Sequence, residues 1–190
     1  MVKLKFVPIM VTVDPGITTA FCLFRPREGR PQILSILTVR GNGRTWEEKA
    51  ASLAIDLSKE ITKYHLIYGI NSAYMEKPHP ISTAVLARGD QGKLDAAYGI
   101  AFSAFSLLGI PVHSLRFQEW KGQLPKRVTV ARTKKAMGWD RGVMPYYAPK
   151  NEHEWDALGM AVYVTENIQT GGKPHAINRK LKKRQIRKAR

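Results

Sequence analysis

Pro8-Ile9-Met10-Val11-Thr12-Val13-Asp14-Pro15-Gly16-Ile17-Thr18-Thr19-Ala20-Phe21-Cys22-Leu23-Phe24 is the stretch whose reading decides the fold. An apolar, β-branched run ends on an acid, Pro-Gly turns the chain, and a second apolar run returns beside the first, which is a hairpin pattern. Asp14 therefore falls at a strand tip. A carboxylate there, next to a glycine that leaves its surroundings open, suits a hard cation and a phosphate oxygen. An aspartate before Pro-Gly also serves as a plain turn residue bonded to its own backbone. Two later acids in settings of the same kind shift the weight to the first reading.

Outward from the hairpin, Ile33 to Val39 reads as a third strand, so the chain begins with a three-stranded antiparallel meander broken by Gly41-Asn42-Gly43. Thr45 and Glu48 have the spacing of a capping box, opening a helix to about Tyr64 whose apolar stripe is Ala50, Leu53, Ala54, Leu57 and Ile61. Tyr68 to Met75 leads into Glu76, and Lys77-Pro78-His79-Pro80 stops any strand or helix from continuing. Glu76, like Asp14, should sit where the chain leaves the sheet. Asp90 to Leu108 is a helix with small residues at Ala96, Ala97, Ala101 and Ala104, and Pro111 to Leu115 is a further short strand. Strand, helix, strand in that order is a βαβ unit, so the fold class is α/β with a mixed five-stranded sheet.

Phe117 to Gly142 is strongly basic, with Lys121, Lys126, Arg127, Arg132, Lys134, Lys135 and Arg141 interleaved with Phe117, Trp120 and Trp139. It reads as a short helix, a turn at Gln123-Leu124-Pro125 and a second helix from Thr129 to Met137. Such a face is either a solvated surface or a phosphate contact. Pro145 to Lys150 is a proline-bracketed loop, after which Asn151 caps the last helix with Glu154 as its capping-box partner. Trp155, Leu158 and Val162 supply the buried side of that helix. His153 and Asp156, three apart, project from one face near its start. Residues 1–170 form one domain, and residues 171–190 read as a disordered basic arm.

The charge balance selects the partner. Thirty-one Lys and Arg against fifteen Asp and Glu give +16 in 190 residues and a pI near 10.1. Eight of the basic residues lie in 179–190, leaving 23 against 15, or +8, on the rest. A folded part that is basic in its own right predicts a polyanionic partner, most simply nucleic acid. The single cysteine, Cys22, excludes an intrachain disulfide, reads as a small buried hydrophobe, and makes a reducing cytosol the simplest compartment. No run approaches the roughly 20 apolar residues of a membrane span, and Asp14 and Pro15 cut short the apolar run behind Lys3 and Lys5, against a signal peptide.

Three acids and a histidine thus fall at the ends of secondary structure: Asp14, Glu76, His153 and Asp156. Carboxylates converging from separate elements can hold two divalent ions roughly 4 Å apart around a scissile phosphate. Oxygen donors suit Mg²⁺ or Mn²⁺, and one imidazole is compatible with either. Each residue also has a structural reading: a cap-region histidine, an acid placed well for a helix N-terminus, a strand-end surface acid.

Val13-Asp14-Pro15-Gly16, Met75-Glu76-Lys77-Pro78 and His153-Glu154-Trp155-Asp156-Ala157-Leu158, in that order and at that spacing, resemble the RuvC family of Holliday-junction resolvases. The resemblance runs from about Val11 to Thr165. Lys93-Leu94-Asp95-Ala96-Ala97-Tyr98-Gly99 and Pro111-Val112 followed by Trp120-Lys121 are similar to further family segments. It implies a ribonuclease H-like fold, a homodimer, and paired nicks across a four-way DNA junction. It gives Asp14, Glu76 and Asp156 the carboxylate ligand positions, His153 the fourth, and Lys121 a place near the scissile phosphate. DNA contact is expected at His79, Lys93, Lys121, Lys126, Arg127, Arg132, Lys134 and Lys135. The small-residue helix either contributes to the dimer interface or packs on its own sheet. His79 stands where some members carry an aromatic wedge, and the basic tail with Gly122 to Lys126 resembles divergent, phage-type members. Two other readings stay open: a ribonuclease H-like nuclease acting on RNA or on other branched or flapped DNA, and a metal-free nucleic-acid-binding module.

Overall fold

The structure, a computed structural model, describes residues 7–78, 90–122, 124–140, 142 and 144–169. His79, Arg141 and the basic tail lie outside them, as does Gln123 of the expected turn. Five strands form one sheet: β1 (Ile9–Asp14), β2 (Thr18–Arg27), β3 (Arg30–Arg40), β4 (Ile70–Lys77) and β5 (Val112–Arg116). Their spatial order is β3-β2-β1-β4-β5. β1, β2 and β3 pair antiparallel, while β4 lies parallel to β1 and β5 parallel to β4. The expected mixed sheet is therefore present, with β1 at its centre.

Alternation along the strands splits the core in two. Val11, Val13, Phe21, Leu23, Ala73 and Met75 face one side, where α1 (Trp46–Tyr68) and α2 (Asp90–Ser106) cover them. Met10, Ala20, Cys22, Phe24 and Leu115 belong to the opposite core, covered by α4 (Lys126–Met137) and α5 (Glu152–Gln169). The short α3 (Phe117–Trp120) follows β5 directly. Cys22 is fully buried, as expected.

Thr45 and Glu48 make the expected capping box, but α1 runs on to Tyr68, where Gly69 ends it at φ 68°. Leu66 and Ile67, which extend the apolar pattern towards a strand, are exposed on this last turn. α4 likewise begins at Lys126 rather than Thr129, because Pro125 stands at its N-cap with a φ preset for the helix. In α2, Ala97, Ala101 and Ala104 are buried in the core shared with α1, whereas Ala96 is exposed. The small residues thus serve close packing within the chain. Among the described residues no helix is long and apolar enough to cross a membrane.

Candidate active site

Asp14 and Glu76 end up side by side because their strands run parallel in register, Val13 opposite Met75. Val13 and Met75 point into the α1 side of the sheet. Their successors therefore point to the other side, where α5 lies. Thr12, two residues before Asp14 and fully buried, donates its hydroxyl to the Ala157 carbonyl at 2.7 Å and fixes α5 across the strand.

The start of α5 is tied down separately. Glu154 N–H donates to Asn151 Oδ1 at 3.0 Å, the expected cap. The return half of the capping box is absent: Glu154 accepts from the Lys150 N–H at 2.6 Å and from the Thr38 hydroxyl at 2.8 Å. Asn151 Nδ2 also donates to Thr38 at 3.0 Å. Thr38 pairs with Ala20, and Ala20 with Asp14, so one row of the sheet holds both the acid and the helix that brings its partners.

In that frame His153 Nδ1 stands 2.8 Å from Asp14 Oδ2. Asp156, one turn later, receives both oxygens' bonds from Lys121 Nζ, at 3.1 and 3.0 Å, and a third from Lys126 Nζ at 3.2 Å. Lys121 and Asp156 are each only 11% exposed, so this ion pair is largely dry. Glu76 accepts from Trp120 Nε1 at 3.1 Å. The indole owes its position to Gly159 of α5: a Cβ there would come within 2.9 Å of Trp120 Cζ3. Lys121 Nζ also lies 5.2 Å above the Trp120 ring.

The electrostatics follow from crowding acids in a low-dielectric corner. Burial pushes Glu76 up to about 7, with the Asp14 charge adding to the rise. Burial likewise raises Asp14, against the opposing bond from His153. His153 is raised in turn, chiefly by its bond to Asp14. Two carboxylates raised by burial, a third held by lysine and one imidazole beside them are a donor set that fits a hard divalent cation. As the side chains stand, no three of His, Cys, Asp and Glu among the described residues close a ligand shell, and Asp156 is engaged by lysine.

The four sequence-derived site residues and Lys121 thus meet at one end of the sheet. The other expected DNA contacts do not gather there as a set. Lys126 reaches Asp156 and Glu152; Arg127, Arg132 and Lys135 are exposed on α4; Lys134 lies 5.4 Å above the Trp155 ring; Lys93 pairs with Asp90 on α2. Sequence reasoning did not assign Trp120 a role, although it neighbours Lys121, and gave no role to Thr12 or Thr38.

The sheet order and the helices on its two faces define a ribonuclease H-like fold. Solved structures with this fold include Thermus thermophilus RuvC in complex with a Holliday junction substrate, 17% identical with a TM-score of 0.65, over 86% of this chain and 97% of that one. Another structure of Thermus thermophilus RuvC is 16% identical with a TM-score of 0.62, over the same shares of the two chains. The yeast mitochondrial Holliday junction resolvase Ydc2 is 13% identical with a TM-score of 0.55, over 82% and 78%. No protein-family model and no curated protein matches the chain.

Proposed function

We propose that this chain is a divalent-metal-dependent, structure-selective endonuclease that resolves four-way DNA junctions by paired, symmetric nicks. One observation carries the reading: Asp14, Glu76, His153 and Asp156, from three separate elements, come together on a fold shared with RuvC. A net charge of +16 supplies the affinity for the polyanion.

Asp14, Glu76 and Asp156 would hold Mg²⁺ or Mn²⁺ through carboxylate oxygens, with His153 contributing a ring nitrogen. The chemistry two such ions supply when bound is activation of water and neutralisation of charge at the leaving oxygen. Water oxygen bonds to phosphorus, the bond to the 3′ oxygen breaks, and the ends left are 5′-phosphate and 3′-hydroxyl. Trp120 restrains Glu76 through its indole N–H. Lys121, beside Asp156, would supply positive charge to the scissile phosphate. Two cuts related by symmetry need two such sites, so the active form is a homodimer whose two-fold matches that of the junction. A bacterial cytoplasm, with the gene carried by the cell or a phage, is the setting that suits a chain of this kind.

The test is cleavage of an immobile four-way junction beside matched linear duplex, flap and RNA–DNA hybrid, with Mg²⁺, Mn²⁺ or chelator. Paired metal-dependent nicks on the junction, abolished by Asp14→Asn with junction binding retained, are the expected result. Preferential cutting of hybrid or flap would keep the site and overturn the substrate. Tight binding without any cutting would leave a nucleic-acid-binding module.

A further inference from the structure

At the opposite end of β1 from Asp14, a cavity of about 400 Å³ opens between the β2–β3 hairpin tip and the segment joining α4 to α5. Arg27 and Arg30 of the hairpin and Trp139 and Tyr147 of the connecting segment line it, with Gln32, and Glu28 is the acid in the lining. Arg27 lies seven positions along β2 from Ala20, the partner of Asp14, which at strand rise places the cavity roughly 20 Å from the acids. The walls are held in place. Arg30 Nη1 donates to the Met137 carbonyl at 3.0 Å, and Trp139 N–H donates to the Lys134 carbonyl at 2.8 Å.

The aromatic wall continues outward in edge-to-face steps. Trp155 of α5 meets Trp139 at 6.3 Å and 73°, Trp139 meets Tyr147 at 6.0 Å and 64°, and Tyr147 meets Tyr146 at 5.4 Å and 83°. Core packing accounts for the inner members of this series. It does not account for Tyr146, which is 95% exposed on a loop stiffened by Pro145 and by the Ala148 N–H bond to the Pro145 carbonyl. A solvent-facing aromatic packed on Tyr147, which lines a cavity with two arginines, is an arrangement that can take a nucleobase by its face and its phosphate by charge.

We propose that this cavity, together with Tyr146 packed on its lining residue Tyr147, binds an unstacked nucleotide of a DNA strand: base against Tyr146 and Tyr147, phosphate against Arg27 and Arg30. A paired duplex hides its base faces, so the site discriminates in favour of single-stranded or opened segments. The inference rests on the proposed function only for the choice of DNA as the polyanion.

The experiment titrates the full chain, in chelator, with a short oligothymidylate and with a blunt duplex of equal length, following tryptophan fluorescence. Single-strand binding should quench the signal, because Trp139 lines the cavity. Tyr146→Ala should weaken single-strand affinity about tenfold and leave duplex affinity unchanged, while Tyr146→Phe, which keeps the ring, should behave as wild type. Arg27→Ala should lower the salt dependence by about one phosphate contact. Equal single-strand affinity in wild type and Tyr146→Ala, or a loss shared equally by the duplex, overturns the proposal. Asp14→Asn keeps the two readings apart: it should stop cleavage without touching single-strand binding.

Discussion

Thr12 and Ala157 share a buried 2.7 Å hydrogen bond that locks the last helix onto the central strand, two residues from one site acid and one residue from another. Replacing the hydroxyl by a methyl tests how far position alone governs the site. Thr12→Val should cost about 1 kcal/mol of unfolding free energy, the usual net value of one such bond. Because Asp14 and Asp156 are referenced to each other through it, junction cleavage should fall further than that stability loss accounts for. Denaturant unfolding and cleavage rates on the same preparation check the pair of outcomes.

Trp120 gives a second handle on the acids. Trp120→Phe keeps most of the ring volume and deletes the N–H that holds Glu76 at 3.1 Å. Groups that orient a ligand without touching the ion are typically worth about 10-fold or more in metal affinity. Calorimetric Mn²⁺ titration should show a loss of that order with the fold intact by circular dichroism. An unchanged affinity would make the Trp120–Glu76 bond incidental to ion binding.

Gly159 should be unexpectedly intolerant for a helix position. Alanine normally favours a helix by up to about 1 kcal/mol over glycine. Here the added Cβ meets the Trp120 ring at 2.9 Å and Thr133 Oγ1 at 3.3 Å. Gly159→Ala should therefore destabilise by about 1–3 kcal/mol, as overpacking does, and reproduce the weakened Mn²⁺ binding of Trp120→Phe. Thermal melts and the same titration decide it.

Acidity at the site sets a pH dependence with a definite sign. Glu76 is held at about 7 instead of 4.5, so the folded chain keeps its proton longer than the unfolded chain does. The stability this contributes is complete below about 4.5 and lost as pH rises through about 7. Asp14, raised by burial, and His153, raised by its bond to Asp14, act in the same direction. Without divalent ions the melting temperature should fall from about pH 5 to about pH 8, and Mn²⁺ should raise it more at the upper end. A melting temperature flat across that range would mean that Glu76 ionises without penalty.

What was legible in the sequence was local. Asp14 and Glu76 could be placed because an apolar run met Pro-Gly in one case and Lys-Pro in the other, and the mixed sheet followed from the meander and the βαβ unit, though not that β4 would lie beside β1. Thr45 and Glu48 announced α1 three residues apart. The rest depends on residues that meet only after folding: Trp120 lies 44 positions from Glu76, and Lys121 lies 35 from Asp156. Glu154 had the spacing of a capping box, yet its carboxylate is drawn to Thr38, 116 residues away. Spacing could put His153 and Asp156 on one face, but could not say that lysines would occupy the second while Asp14 held the first.

The separation of 145 positions between Thr12 and Ala157 bears on when the site can come into being. The meander of β1 to β3 closes through short connections, whereas docking α5 must await nearly the whole described chain, and contacts between distant segments form late and slowly. A chain that has emerged only as far as residue 150 already carries Asp14 and Glu76, but neither His153 nor Asp156. With Asp14 and Glu76 on β1 and β4 and the other two on α5, the four-residue cluster cannot assemble until α5 has been made.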